Sequence, residues 1–147
     1  MEVNKKGFTL IELLAVIVIL AVIALIATPV ILQIITKARK AAAENSVYGM
    51  MEATRYAYFT AIVEDKTLAM PITVTCTTTA CIYTDSTDTT VGTAQTGSVD
   101  FSGTKMTEGE IKLNSEGKFE ESEDGKKPKV NGFYCTISKA TQRVSCE

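Results

Sequence analysis

The sequence predicts an α+β fold in which one long N-terminal helix carries a small antiparallel sheet on its second half. Three observations lead there. Leu13 to Ile35 is apolar apart from Thr28, Pro29 and Gln33. Helical patterning then continues without an obvious break to about Ile62. After Lys66 the composition changes abruptly to threonine, valine and isoleucine, which favour strands, together with cysteine.

The first stretch sets the terms. Bilayer hydrocarbon is about 30 Å thick, so a spanning helix needs about 20 apolar residues, a length that Leu13 to Ile35 supplies. Isoleucine, leucine, valine and alanine fall on every helical face, which describes a span or a buried assembly core rather than an amphipathic surface helix. One charge, Glu12, stands at its mouth behind Lys5, Lys6, Gly7, Phe8, Thr9, Leu10 and Ile11. A carboxylate at the centre of a span costs about 2.5 to 3.5 kcal/mol, and less near an end. Glu12 therefore either sits at the headgroup level or awaits a positive partner in the membrane. A secretory signal is a competing reading, with Val22-Ile23-Ala24 as its cleavage site. No Ala-x-Ala triplet occurs within the apolar run, however, and the run exceeds the usual signal core of about 7 to 15 residues. No cysteine follows the leader to carry a lipid. Flanking charge leaves orientation open, because Lys5 and Lys6 lie on one side and Lys37, Arg39 and Lys40 on the other.

The second stretch, Lys37 to Glu52, is rich in alanine, lysine, glutamate and methionine, all good helix formers. Val47, Met51, Thr54, Tyr58 and Ile62 lie at helical spacing along one stripe, expected to face the core of a domain folded onto this helix. From Phe8 to Ile62 such a helix reaches about 80 Å at 1.5 Å per residue. The remaining residues are too few to bury it. Its first half is expected to be covered by lipid or by other copies of itself.

The strands follow in order. Ile72 to Thr84 reads as strand–turn–strand. Asp85 to Gly103 reads as a surface loop with a short strand near Val99–Phe101. Glu110–Leu113 and Lys118–Glu120 flank Asn114-Ser115-Glu116-Gly117 as a hairpin. Glu121 to Lys129 is a charged loop containing Pro128, and Phe133–Ser138 with Arg143–Cys146 forms a second hairpin. Short strands beside one helix imply an antiparallel sheet packed on it.

All four cysteines lie beyond the apolar run. Four allow three pairings, and sequence alone does not choose. Register arithmetic favours one. If Ser138 faces Arg143, Cys135 falls opposite Cys146; a turn at Thr78-Thr79 places Cys76 opposite Cys81. Cross-strand neighbours have Cα atoms about 4.5 to 5.5 Å apart, inside the disulfide range. Cys76–Cys81 and Cys135–Cys146 are the predicted bonds. Free buried thiols are the alternative. A metal or redox role fits less well, since neither spacing matches a zinc or thioredoxin pattern and the chain has no histidine. Disulfides need an oxidising compartment, which places the β-rich part outside the cytoplasm and the N-terminus inside.

Charge adds little about partners. At 147 residues and a net charge of −2, the chain argues neither for nor against nucleic acid, and none is expected. Lys37, Arg39 and Lys40 are basic, Asp85 to Asp124 is acidic, and Lys126, Lys127, Lys129, Lys139 and Arg143 are basic again. That pattern is either a solvated mixed-charge surface or a pair of complementary faces in an assembly. Glu120, Glu121, Glu123 and Asp124 form an acidic run with no partner acid or base at useful spacing. No phosphate-binding loop, nucleophile elbow or zinc-hydrolase helix occurs. No enzyme activity, cofactor or metal ligand is expected.

Gly7-Phe8-Thr9-Leu10-Ile11-Glu12 resembles the prepilin signature of type IV pilins and pseudopilins. The resemblance implies cleavage between Gly7 and Phe8 by a membrane prepilin peptidase, followed by N-methylation of Phe8. It implies that Glu12 is an assembly contact, pairing with the N-terminal amine of a neighbouring subunit. A buried carboxylate and a buried ammonium are each costly alone but tolerable together. Pro29 falls where pilins often carry a helix-breaking proline, so a kink or local melting is expected there. The Cys135–Cys146 bond would tie down the C-terminus, as in many type IV pilins. Asp85-Ser86-Thr87-Asp88 is similar to a loop that touches calcium in some major pseudopilins, but lacks the EF-hand spacing. The implied organisation is a leader at 1–7, a transmembrane and filament-core helix at 8–35, a continuing amphipathic helix at 36–66 and an extracytoplasmic β-rich head at 67–147. The implied protein is a ladle-shaped structural subunit of a homo-oligomeric, helical, type IV pilus-like filament, handled by pilus or secretion assembly machinery. It would sit in the plasma (inner) membrane as a precursor and then in an extracytoplasmic or cell-surface filament. Two alternatives stand beside it. One is a major pseudopilin of a type II secretion or competence system; the other is a single-pass membrane-anchored adhesin or sensor that never polymerises.

Overall fold

The computed structural model describes residues 7–64, 66–77, 79–87 and 94–147. The chain divides into two units, Met1–Ala38 and Arg39–Glu147. One helix, α1 (Leu10–Val63), contributes to both.

In the first unit α1 is apolar on all sides. Its most apolar 18-residue window has a mean hydropathy of 3.2, with 0% of it buried. Valine and isoleucine are weak helix formers in water because their χ1 is restricted. In hydrocarbon the balance reverses, since a helix satisfies every backbone group within the segment. Two threonine hydroxyls are satisfied within the helix in the same way: Thr28 Oγ1 donates to Ala24 O at 2.7 Å and Thr36 Oγ1 to Leu32 O at 2.9 Å. Pro29 lies inside the helix, which continues through it. Of the two outcomes expected there, a kink or local melting, the unbroken helix excludes the melting. One proline removes one backbone bond, whereas unwinding would expose several groups.

In the second unit α1 buries Ala43, Ser46, Val47, Met50, Met51, Thr54 and Ala61, a stripe at helical spacing. Val47, Met51 and Thr54 match the predicted stripe, and Tyr58 packs partly against it. Ile62 does not, being 45% exposed. At 3.6 residues per turn the face that begins at Val47 arrives at Ala61 instead. The helix also stops at Val63, short of residue 66.

Among the described residues seven strands follow: β1 (Ile72–Cys76), β2 (Cys81–Thr84), β3 (Thr96–Val99), β4 (Ile111–Leu113), β5 (Lys129–Val130), β6 (Phe133–Ile137) and β7 (Val144–Cys146). They form two antiparallel sheets, ordered β3-β2-β1-β4 and β5-β6-β7. Both contribute to one core with α1, in which Met50, Ile72, Ile111, Leu113, Phe119 and Ile137 are fully enclosed. β3 lies slightly N-terminal to its expected place because Gly97, directly opposite Tyr83, receives the tyrosine ring across the strand. Lys118–Glu120 adds no strand of its own but bridges back, Phe119 to Leu113. β5 was not foreseen; Asn131 (φ 54°) and Gly132 (φ 87°) turn it into β6.

Side chains then fasten these parts to each other. Tyr48 Oη accepts from Val144 N–H at 2.9 Å and Glu44 Oε1 from Cys146 N–H at 3.2 Å, so two helix residues one turn apart hold β7. Gln142 reaches from the β6–β7 loop to Phe119, accepting from its N–H at 2.8 Å and donating to its carbonyl at 3.0 Å.

Candidate processing and assembly site

Gly7 to Glu12 sits where α1 begins. Thr9 caps the helix: its carbonyl accepts from Leu13 N–H at 3.2 Å, and its hydroxyl oxygen accepts from Glu12 N–H at 3.3 Å. Glu12 answers with Oε2, which accepts from Thr9 N–H and from Thr9 Oγ1, each at 2.8 Å. This is the reciprocal capping box, Thr-x-x-Glu. The Thr-x-x-Glu pattern is visible in the sequence, but the cost of Glu12 in lipid does not point to this capping role. A carboxylate in the first turn also complements the positive end of the helix dipole. Among the described residues Glu12 Oε1 accepts no bond.

Gly7 is free of local demand. No described atom lies within 4 Å of where its Cβ would stand, and its backbone is outside the left-handed region that favours glycine. Phe8 is 91% exposed. Lys5 and Lys6 lie outside the described residues.

The cysteines stand as the register arithmetic paired them, Cys76 with Cys81 and Cys135 with Cys146. Their Cα separations are 4.0 and 3.9 Å, closer than expected. Both pairs occupy non-hydrogen-bonded positions of their ladders, where opposing strands come nearest. The hydrogen bonds flank them: Thr77 N–H to Ala80 O at 2.7 Å for the first, and Tyr134 with Glu147, at 3.0 and 2.9 Å, for the second.

Asp85, expected at a loop surface, is buried, and its oxygens are occupied by donors. Thr87 Oγ1 (2.7 Å), Gln95 N–H (2.8 Å), Ala69 N–H (3.1 Å) and Thr87 N–H (3.3 Å) all point at it. Burial pushes its carboxyl up, but these bonds outweigh burial and hold it below the usual carboxylate range. A carboxylate so engaged ties a loop together and has little left for a cation. Asp88 lies outside the described residues. Among the described residues no group of three or more His, Cys, Asp or Glu side chains is placed to hold a metal ion.

The acidic run lies at the surface and makes exposed ion pairs with lysines. Glu123 lies 3.6 Å from Lys126 and 3.9 Å from Lys112, Asp124 3.4 Å from Lys127, and Glu120 4.0 Å from Lys139. Such exposed pairs contribute about 0 to 1 kcal/mol each. They make a balanced surface.

Comparison with curated proteins and with solved structures gives no match. Residues 3–28 match the family model of the prokaryotic N-terminal methylation motif, so this chain carries the prepilin signature of type IV pilins and pseudopilins at the start of its apolar helix.

Proposed function

We propose that the chain is a structural subunit of a type IV pilus-like filament, cut between Gly7 and Phe8, methylated on the Phe8 amine and assembled through the first half of α1. The observation that carries this reading is the methylation motif at residues 3–28 leading into a helix with 0% of its most apolar window buried. That surface requires cover, either lipid before assembly or copies of the same helix after it. Moving from one to the other is an apolar-to-apolar transfer, so packing and polar contacts decide it. Glu12, with one oxygen unbonded among the described residues, is the polar contact, and a neighbour's Phe8 ammonium is its partner. Gly7 supports the cleavage assignment, since no described atom around it calls for a glycine. The two disulfides favour an extracytoplasmic head, and the C-terminal one leans toward a pilus rather than a secretion pseudopilus. On this reading the chain is the substrate of an enzyme rather than an enzyme.

Intact mass of the chain from its own cells tests the processing step. Loss of residues 1–7 and gain of one methyl group is expected, and a Gly7→Ala chain should stay at full length. A full-length wild-type chain would instead indicate a permanent anchor. Filaments sheared from the cell surface should contain the mature chain, and Glu12→Ala should lower their yield at unchanged processing. Absence of surface filaments together with a secretion defect would assign the chain to a secretion pseudopilus.

A further inference from the structure

The two sheets end in four outer strands, β3, β4, β5 and β7. Three are covered within the chain. Along β4, Glu120 N–H donates to Lys112 O and Asn114 N–H to Lys118 O, both at 2.9 Å. Along β5, Thr107 N–H donates to Lys129 O at 2.8 Å and Lys129 N–H to Glu108 O at 2.9 Å. β7 is held by Glu44 and Tyr48. β3 differs. Asp85 N–H donates to Gln95 O at 3.0 Å, and the register then turns Gly97 and Val99 toward β2. By alternation the main-chain groups of Thr96 and Ser98 point outward. Among the described residues nothing pairs with them.

A groove of about 450 Å³ lies beside this edge, entirely within the second unit, between β3 and α1. Tyr56, Thr60, Tyr83, Ser98 and Asp100 are among the residues lining it. Tyr56 is 76% exposed and offers an aromatic face. Glu64 at the rim is neutralised by Lys66 at 2.8 Å, whereas Asp100 has no ion-pair partner among the described residues. The groove therefore combines free strand hydrogen-bonding groups, apolar contact and one unbalanced negative charge.

We propose that β3 accepts an extended, basic segment of a partner protein as an added strand, seated in the groove between β3 and α1. Only an extended backbone offers donors and acceptors at the two-residue repeat of a strand edge. A lysine or arginine on that segment balances Asp100. A second copy of this chain fits less well. Its one uncovered described edge is also β3, and pairing the two would bring two Asp100 carboxylates into one interface without a cation. The proposal needs only the head and stands apart from the filament reading.

The full chain in detergent micelles, titrated with a blocked fluorescent hexapeptide of alternating valine and lysine, tests it. Saturable binding is expected, with slowed hydrogen exchange at the Thr96 and Ser98 amides. Ser98→Pro removes an outward donor and spares the β2 ladder, the position where an edge tolerates proline. It should weaken binding about tenfold, the worth of one main-chain hydrogen bond. Asp100→Asn should weaken it about threefold, as for an exposed ion pair. Tyrosine near-ultraviolet dichroism checks that Ser98→Pro is folded. Independently of any variant, the hexapeptide N-methylated on its strand-facing amides should bind about tenfold less well. No saturable binding overturns the proposal, as does equal affinity for the N-methylated peptide or for a folded Ser98→Pro chain. A dimer of the chain that Ser98→Pro abolishes overturns it too, by giving the edge to a second copy.

Discussion

Before Ala38, α1 exposes leucine, isoleucine and valine on every side; after Arg39 the same helix turns Ala43, Val47, Met50 and Met51 into a closed core. Both stretches are helical, and the difference lies in what covers them. Fully burying a side chain such as leucine or isoleucine is worth about 1.5 to 3 kcal/mol. In the second unit that gain is collected inside the chain, from strands that reach the helix through long-range contacts. In the first it must come from outside, from lipid or from other helices. Substitutions in the two stretches should therefore register in different measurements: folding of the head in one, membrane retention or assembly in the other.

The largest contrast is between Met50 and Ile23. Met50 is fully enclosed and Ile23 is 57% exposed. Met50→Ala should lower the unfolding free energy of the head by about 2 to 5 kcal/mol. Ile23→Ala should leave it within about 0.5 kcal/mol. Denaturant unfolding in micelles, followed by tyrosine dichroism, reads both, and a comparable loss at Ile23 would break the division. Next comes the C-terminal bond. Cys135→Ser with Cys146→Ser should cost about 2 to 4 kcal/mol in the same experiment, through the looser unfolded chain that results.

Legibility in the sequence divides along related lines. The first unit was readable because its signal is local: an apolar run of span length, and a hexapeptide at its mouth. The disulfides were readable because strand pairing is arithmetic once one facing pair is guessed. Thr9-x-x-Glu12 and Asn131-Gly132 are equally local signals. Other features were not available. The seat of β3 depends on the Tyr83 ring crossing Gly97, and Gln142 finds its partner at Phe119. Asp85 looked like one acid in a polar loop; its bonds to Thr87 are local, but those from Ala69 and Gln95 reach it from either side. Nothing in the intervening residues marks the two ends of such contacts as partners.

Asp85 gives the head an acid-sensitive joint. Its folded-state pKa lies below that of an unfolded aspartate, about 3.9. The stabilisation is therefore complete above that value and is lost as pH falls through the lower, folded-state pKa. Asp85→Asn should cost about 1.5 to 3 kcal/mol at neutral pH, the range for hydrogen bonds to a charged group. The variant should also show a flatter decline in stability toward acid. An acid limb as steep as in the native chain would mean that another carboxylate carries it.

The smallest effect expected is also the most direct test of how the second stretch of α1 closes its own surface. Tyr48→Phe removes one acceptor from the outer edge of β7 and nothing from the core, since Tyr48 is 38% exposed. Water can replace part of that bond, so the loss should be about 0.5 to 1.5 kcal/mol. The sharper readout is local. Val144 N–H should exchange with solvent faster in Tyr48→Phe, while Cys146 N–H, bonded to Glu44, stays protected. Glu44→Gln should change less, because an amide oxygen still accepts from Cys146. If the Val144 amide keeps its protection in Tyr48→Phe, the helix does not guard that edge. β7 would then depend on β6 and the disulfide alone, and β3 would lose its distinction as the open edge.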